Sequence, residues 1–141
     1  MIWRMTSDYP TEITLKPIGV VHSPCKTPDD LPRGGGACDV RAVIEIAPEY
    51  AEGIADMAVG DRVMVLFYFH LSREVLLTVP IRGTGPMTGV FSTHSPTRPN
   101  FIGVTEVLVE SIDGPNLGIL GADMLDGTPI LDMKPAPKNN R

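Results

Sequence analysis

The chain has 141 residues, a formal net charge of −5 and 43% hydrophobic residues, which fits one globular domain large enough to bury a core. An acidic balance excludes general electrostatic attraction to nucleic acid, so a polyanionic partner needs a local basic patch or a second subunit. With 14 Gly and 14 Pro, long uninterrupted helices are excluded, and short strands with tight turns are favoured.

Residues 1–11 read as a flexible tail without the apolar core of a secretory signal. No run approaches the roughly 20 apolar residues of a membrane span. Cys25 and Cys38 lack the spacing of a zinc site, so no metal is expected. The expectation is a cytoplasmic protein with reduced thiols, a disulfide between the two being the alternative.

Ile13 to Val21 alternates loosely, as a strand running into a Ser23-Pro24 turn. Cys25 to Asp39 is a loop containing Pro28, Pro32 and Gly34-Gly35-Gly36. Val40 to Ile46 has the cleanest alternation, with Val40, Ala42, Ile44 and Ile46 on one face and Arg41 and Glu45 on the other. Tyr50, Ile54 and Met57 predict a short helix from Pro48 to about Ala58. In Val63 to Phe69 both parities are apolar, as in a strand covered on both faces or crossing a barrel wall at an oligomer contact. Val75 to Val79 predicts a shorter strand, Arg82 to Thr88 a loop, Ile102 to Ile112 a strand ending at the Asp113-Gly114 turn, and Leu117 to Leu120 another strand. The sum is a mainly β domain over residues 12–135, a single antiparallel or mixed β-barrel with one short helix, followed by a frayed tail at 136–141.

The stretch GVFSTHSPTRPNFIGV, Gly89 to Val104, begins with an apolar pair, Val90-Phe91, that ends a strand. It continues as a polar loop with His94, Ser95, Thr97, Arg98 and Asn100, stiffened by Pro96 and Pro99. Rigid polar loops between strands collect binding residues, although a turn-rich surface connection has the same composition. Arg98 and Asn100 offer a donor fork and an amide for phosphate, carboxylate or a base edge. His70 closes the most hydrophobic strand, either as a hydrogen-bonded cap or as a ligand contact or general base. Asp126-Gly127-Thr128-Pro129 is a turn, and Asp123, Asp126 and Asp132 concentrate negative charge that Lys134 offsets in part.

The ordered set IGVVHSP, LFYFH, GVFSTHSPTRPNFIGVTEV and DGTPILDMKP resembles the TsaA/TrmO/VirR-like family, from about Ile18 to Pro135. The resemblance implies a β-barrel that binds S-adenosylmethionine, works as a homodimer and methylates N6 of threonylcarbamoyladenosine beside the tRNA anticodon. It implies cofactor contacts at Pro32, Arg33 and Gly34, at His70 and Leu71, at His94, at Val104, and at Leu125, Asp126, Gly127 and Thr128. Asp126 or His70 becomes the expected catalytic base, and Arg98, Asn100 and Lys134 the expected substrate-positioning residues. Family members commonly carry arginine where this chain has His94, a donor whose charge depends on pH. An adenosyl-ligand-binding module without catalysis, or a methyltransferase acting on a small molecule, fits the same residues.

Overall fold

The alternating apolar residues recognised in the sequence fold inward in the computed structural model, which describes residues 10–32 and 39–137. Among these residues eight strands form: β1 (Gly19–His22), β2 (Arg41–Ile46), β3 (Arg62–Tyr68), β4 (Thr78–Pro80), β5 (Met87–Gly89), β6 (Ile102–Asp113), β7 (Asn116–Leu120) and β8 (Pro129–Pro135). Six of them close a barrel in the order β1-β2-β7-β6-β3-β8, and every pairing is antiparallel. Closure leaves no unpaired edge in the main sheet. The long β6 makes it possible, because its first half pairs with β3 and its second half with β7.

In β2, Ala42, Ile44 and Ile46 point into the barrel and Arg41 and Glu45 out of it, as alternation requires. Val63, Val65 and Phe67 of β3 meet Val107 and Val109 of β6, Leu117 and Ile119 of β7, and Ile130 of β8 in one core. The other parity of β3 is intermediate, with Met64 and Leu66 half-buried, so that strand is covered mainly on one face.

Several elements differ from expectation. Ile13 to Val21 forms a strand only from Gly19, because Pro17 cannot donate to a ladder. The segment Pro48–Ile54 is a 3-10 helix, shorter and tighter than the expected helix, with i→i+3 bonds such as Tyr50 N–H to the Ala47 carbonyl at 2.9 Å. Val75 to Val79 contributes only its end to β4, which pairs with β5 in a two-stranded arm outside the barrel. The expected strand end at Val90-Phe91 is a 3-10 turn, Val90–Ser92. β8 was expected as a polar turn segment; its alternation is masked by Asp132 and Lys134, which face outward beside Leu66 and Met64.

Candidate functional site

Antiparallel closure brings the ends of four strands to one mouth. Val20 pairs with Pro129, Phe67 with Ile130 and Tyr68 with Ile102, so β1 and β3 end where β8 and β6 begin. The β1–β2 loop, the segment after β3, the polar loop before β6 and the turn before β8 therefore share one end of the barrel.

The turn before β8 is held to β1 by backbone bonds: Gly127 N–H donates to the Val21 carbonyl at 2.9 Å, and Val21 N–H to the Thr128 carbonyl at 3.0 Å. Gly127 has φ of 83°, a left-handed conformation that glycine adopts without cost. Thr128 is buried, and its hydroxyl donates to the Leu125 carbonyl at 2.6 Å. His70 looks onto this turn, its Nε2 lying 4.0 Å from where a Cβ on Gly127 would stand. The His70 imidazole is half-buried and has no hydrogen-bond partner among the described residues, while its carbonyl accepts from Arg73 at 2.7 Å. Leu71 beside it is 54% exposed.

Asp126 is engaged at both oxygens. Oδ1 accepts the Ser23 N–H and Oδ2 the Lys26 ammonium, each at 2.9 Å. The Lys26 bond first, and then the Ser23 N–H, hold its carboxyl below the usual carboxylate range. A carboxylate so stabilised is a weak proton acceptor.

The polar loop is tied to the same end. Leu76 N–H donates to the Thr97 carbonyl at 2.9 Å, the Ser72 hydroxyl to the Pro96 carbonyl at 3.0 Å, and Phe69 N–H to the Phe101 carbonyl at 2.8 Å. Arg98 folds back on its own loop, donating to the carbonyls of Thr93 at 2.7 Å, Ser95 at 3.2 Å and Val90 at 3.2 Å. Its guanidinium thus organises the loop, and this internal role replaces the free donor fork expected from the sequence. Asn100 and Phe101 have φ of 67° and 52°. Asparagine accepts that region readily and phenylalanine does not, and the Phe101 ring is braced edge-on against Tyr68 at 6.1 Å. The outcome presents the Asn100 side chain to solvent on a fixed backbone.

His94 is exposed and close enough to Asp123 to act on its charge. Asp123 lies at the surface, yet the surrounding protein raises its carboxyl above the usual range, an increase that His94 partly offsets. Leu125 is half-buried in the turn and Pro32 is exposed, whereas Arg33 and Gly34 lie outside the described residues. Val104 is 41% exposed on the outer wall, opposite Leu66 and away from the barrel interior. Lys134 is not part of this mouth: it pairs with Met64 toward the other end of β8, about 16 Å from Pro129 at a strand rise of about 3.3 Å per residue. Its ammonium is bound to Asp132 at 3.1 Å. Lys26 and Ser23 are the contributors that sequence reasoning missed, since a contact across 100 residues leaves no local pattern.

Two concavities, of about 350 and 380 Å³, lie elsewhere, one on the outer wall around Arg41 and Gly118 and one beneath Pro48–Ile54. His22 at the end of β1 lines the first, but neither is lined by His70, Arg98, Asn100 or the Asp126 turn. Among the described residues no group of three or more His, Cys, Asp or Glu could hold a metal ion, and no helix is long and apolar enough to cross a membrane.

Residues 20–139 match the family model of the tRNA-methyltransferase O N-terminal domain. The chain belongs to that family. Among relatives, it is 40% identical over 125 residues to a probable S-adenosyl-L-methionine-binding protein of Methanothermobacter thermautotrophicus, covering 88% of this chain and 90% of that one. It is 36% identical over 128 residues to the tRNA (adenine(37)-N6)-methyltransferase of Mus musculus, covering 85% of this chain but 30% of that one. Among solved structures, the family fold recurs in a crystal structure of TrmO with a TM-score of 0.76 and 32% identity, covering 90% of this chain and 58% of that chain. This chain therefore spans a little over half of the solved family member and under a third of the mouse enzyme.

Proposed function

We propose that this domain binds S-adenosylmethionine at the mouth formed by His70, the Asp126 turn and the polar loop, and methylates N6 of threonylcarbamoyladenosine beside the tRNA anticodon, in the cytoplasm. The observation that carries this reading is the gathering of four sequence-distant segments at one end of the barrel, where the His70 imidazole, unpartnered among the described residues, looks onto the Gly127 turn, in a chain of this family.

The residues fit such a ligand chemically. Leu71 and Leu125 offer apolar surface for a purine, and the bare face of Gly127 leaves open the space beside His70 that a Cβ would fill. The Asp126 carboxylate suits a cationic group, though Lys26 already balances part of its charge. When bound, the cofactor supplies an electrophilic methyl group on a sulfonium.

The chain's own task is orientation and proton removal. An acyl-type substituent on N6 makes that nitrogen a poor nucleophile and its proton more acidic, so a fixed approach and a base are both needed. His70 Nε2 takes the N6 proton. The exposed amide of Asn100, on its braced turn, meets the substrate. Arg98 and Thr128 keep the two loops rigid.

Calorimetry with S-adenosylmethionine tests the cofactor half: saturable binding is expected, and no heat at about millimolar ligand contradicts it. With cofactor saturating, His70→Ala is expected to slow single-turnover methylation by about 100-fold or more. An unchanged rate removes His70 as the base.

The arm between β3 and β6 supports a homodimer. Leu77 and Met87 are each 65% exposed and Phe91 is 76% exposed, an apolar surface of the kind that marks a protein contact. Light scattering should report a dimer in the wild type and a monomer in a Leu77→Asp, Phe91→Asp double variant; a variant that stays dimeric contradicts this assignment.

One observation favours a second reading, binding without transfer: the relative matched over 90% of its length is named for S-adenosylmethionine binding. Cofactor binding without methyl transfer to any tRNA would select it.

A further inference from the structure

The β1–β2 loop is built around two carboxylates. Asp30 serves its own loop, its Oδ2 accepting the backbone N–H of Lys26 at 2.9 Å and of Thr27 at 3.1 Å. The Cys25 thiol donates to the Asp30 carbonyl at 3.4 Å. This clasp fixes the backbone of Lys26, whose ammonium then reaches Asp126 Oδ2 at 2.9 Å. Ser23 N–H holds the other oxygen of Asp126, and Asp126 N–H donates to the Cys25 carbonyl at 2.7 Å. Residues 23–26 are thereby joined at three points to a turn whose next residue, Gly127, faces His70.

We propose that Lys26 is a positioning residue for the methyl-donor site: its ammonium fixes where the Asp126–Thr128 turn stands against His70 and couples that turn to the β1–β2 loop. The inference rests on the function proposed above and adds a residue to its site. The side chains of Lys26 and Asp126 are 65% and 36% exposed, so their pair adds little to global stability. Its consequence is geometric. Among the described residues, the charged or titratable groups that face Asp126 are Lys26 and, more weakly, His22; Asp30 anchors the Lys26 backbone, and His70 looks onto the turn from the end of β3.

The test is calorimetry with S-adenosylmethionine on wild type, Lys26→Met and Lys26→Arg from about pH 4 to 8, with thermal unfolding of each. Lys26→Met is expected to weaken binding about tenfold at neutral pH without moving the unfolding midpoint. Its acid limb of binding should lie at higher pH than in the wild type, because Asp126 without its cation takes up a proton more readily. Lys26→Arg should restore affinity to within about threefold. Adding Lys26→Met to Asp126→Asn should cost nothing further, since the lysine acts through that carboxylate. Wild-type affinity and an unchanged acid limb in Lys26→Met overturn the proposal while leaving the methyl-donor site standing. A lowered unfolding midpoint makes the pair a global clamp and also overturns it. A wild type that fails to bind S-adenosylmethionine rejects the proposed function, and this inference with it.

Discussion

Replacing Arg98 with methionine should loosen the polar loop before it affects any ligand. The substitution keeps most of the aliphatic stem and removes three hydrogen bonds to carbonyls, at 2.7, 3.2 and 3.2 Å. Hydrogen bonds from a charged donor contribute about 1.5–3 kcal/mol each when buried. The guanidinium here is only half-buried and two of the bonds are long, so about 2 kcal/mol in all is expected. For a domain of this size that is a fall of about 6 °C in Tm. Arg98→Lys should recover only part of it, because a single ammonium cannot reproduce a planar fork spread over three carbonyls. Thermal unfolding gives the magnitude, and hydrogen exchange at Thr93, Ser95 and Thr97 locates it. If Tm and loop protection are unchanged in Arg98→Met while tRNA affinity falls, Arg98 is a substrate contact and the internal clasp is the wrong account.

Other sites give smaller tests. Thr128→Val removes a buried hydroxyl that donates to the Leu125 carbonyl at 2.6 Å, and should cost about 1 kcal/mol by denaturant titration. No loss would mean that the backbone bond from Thr128 N–H to the same carbonyl suffices. Gly103→Ala places a Cβ 2.5–2.8 Å from the rings of Phe67 and Phe69, and should destabilise by about 1–3 kcal/mol through overpacking at the start of β6. A neutral effect would show that the rings move freely. Asp30, through the Lys26 and Thr27 N–H groups, and Asp126, through Lys26 and Ser23, both have folded proton affinities below the ordinary carboxylate value. Their contribution is fully present above the unfolded pKa of about 4 and is lost as pH falls through the lower folded values. Amide exchange at Ser23, Lys26 and Thr27 should therefore remain protected at about pH 4 and open below it; opening already at about pH 5 contradicts the clasp.

Where side chains alternate cleanly, the fold was legible. β2 reads directly from Ala42, Ile44 and Ile46, and the closed barrel follows from many short strands and plentiful turn formers. β8 was hidden because its outward positions carry Asp132 and Lys134, while its inward ones are only Ile130 and Met133. The helix after β2 reads as longer than it is, because spacings of three and four suit α and 3-10 geometry alike over one or two turns. The polar segments of the site were visible as chemistry, and antiparallel closure explains how His70 and Gly127 come to face each other. The inward turn of Arg98 and the reach of Lys26 to Asp126 were not visible, since each depends on where backbone carbonyls and a remote carboxylate fall after the barrel closes.

The most direct measurement of the central claim is mass spectrometry of modified nucleosides in tRNA from a strain lacking this gene, with and without the gene restored. The account predicts that methylated threonylcarbamoyladenosine disappears in the deletion, returns with the wild-type gene, and fails to return with His70→Ala. Unchanged methylated nucleoside in the deletion strain would contradict it.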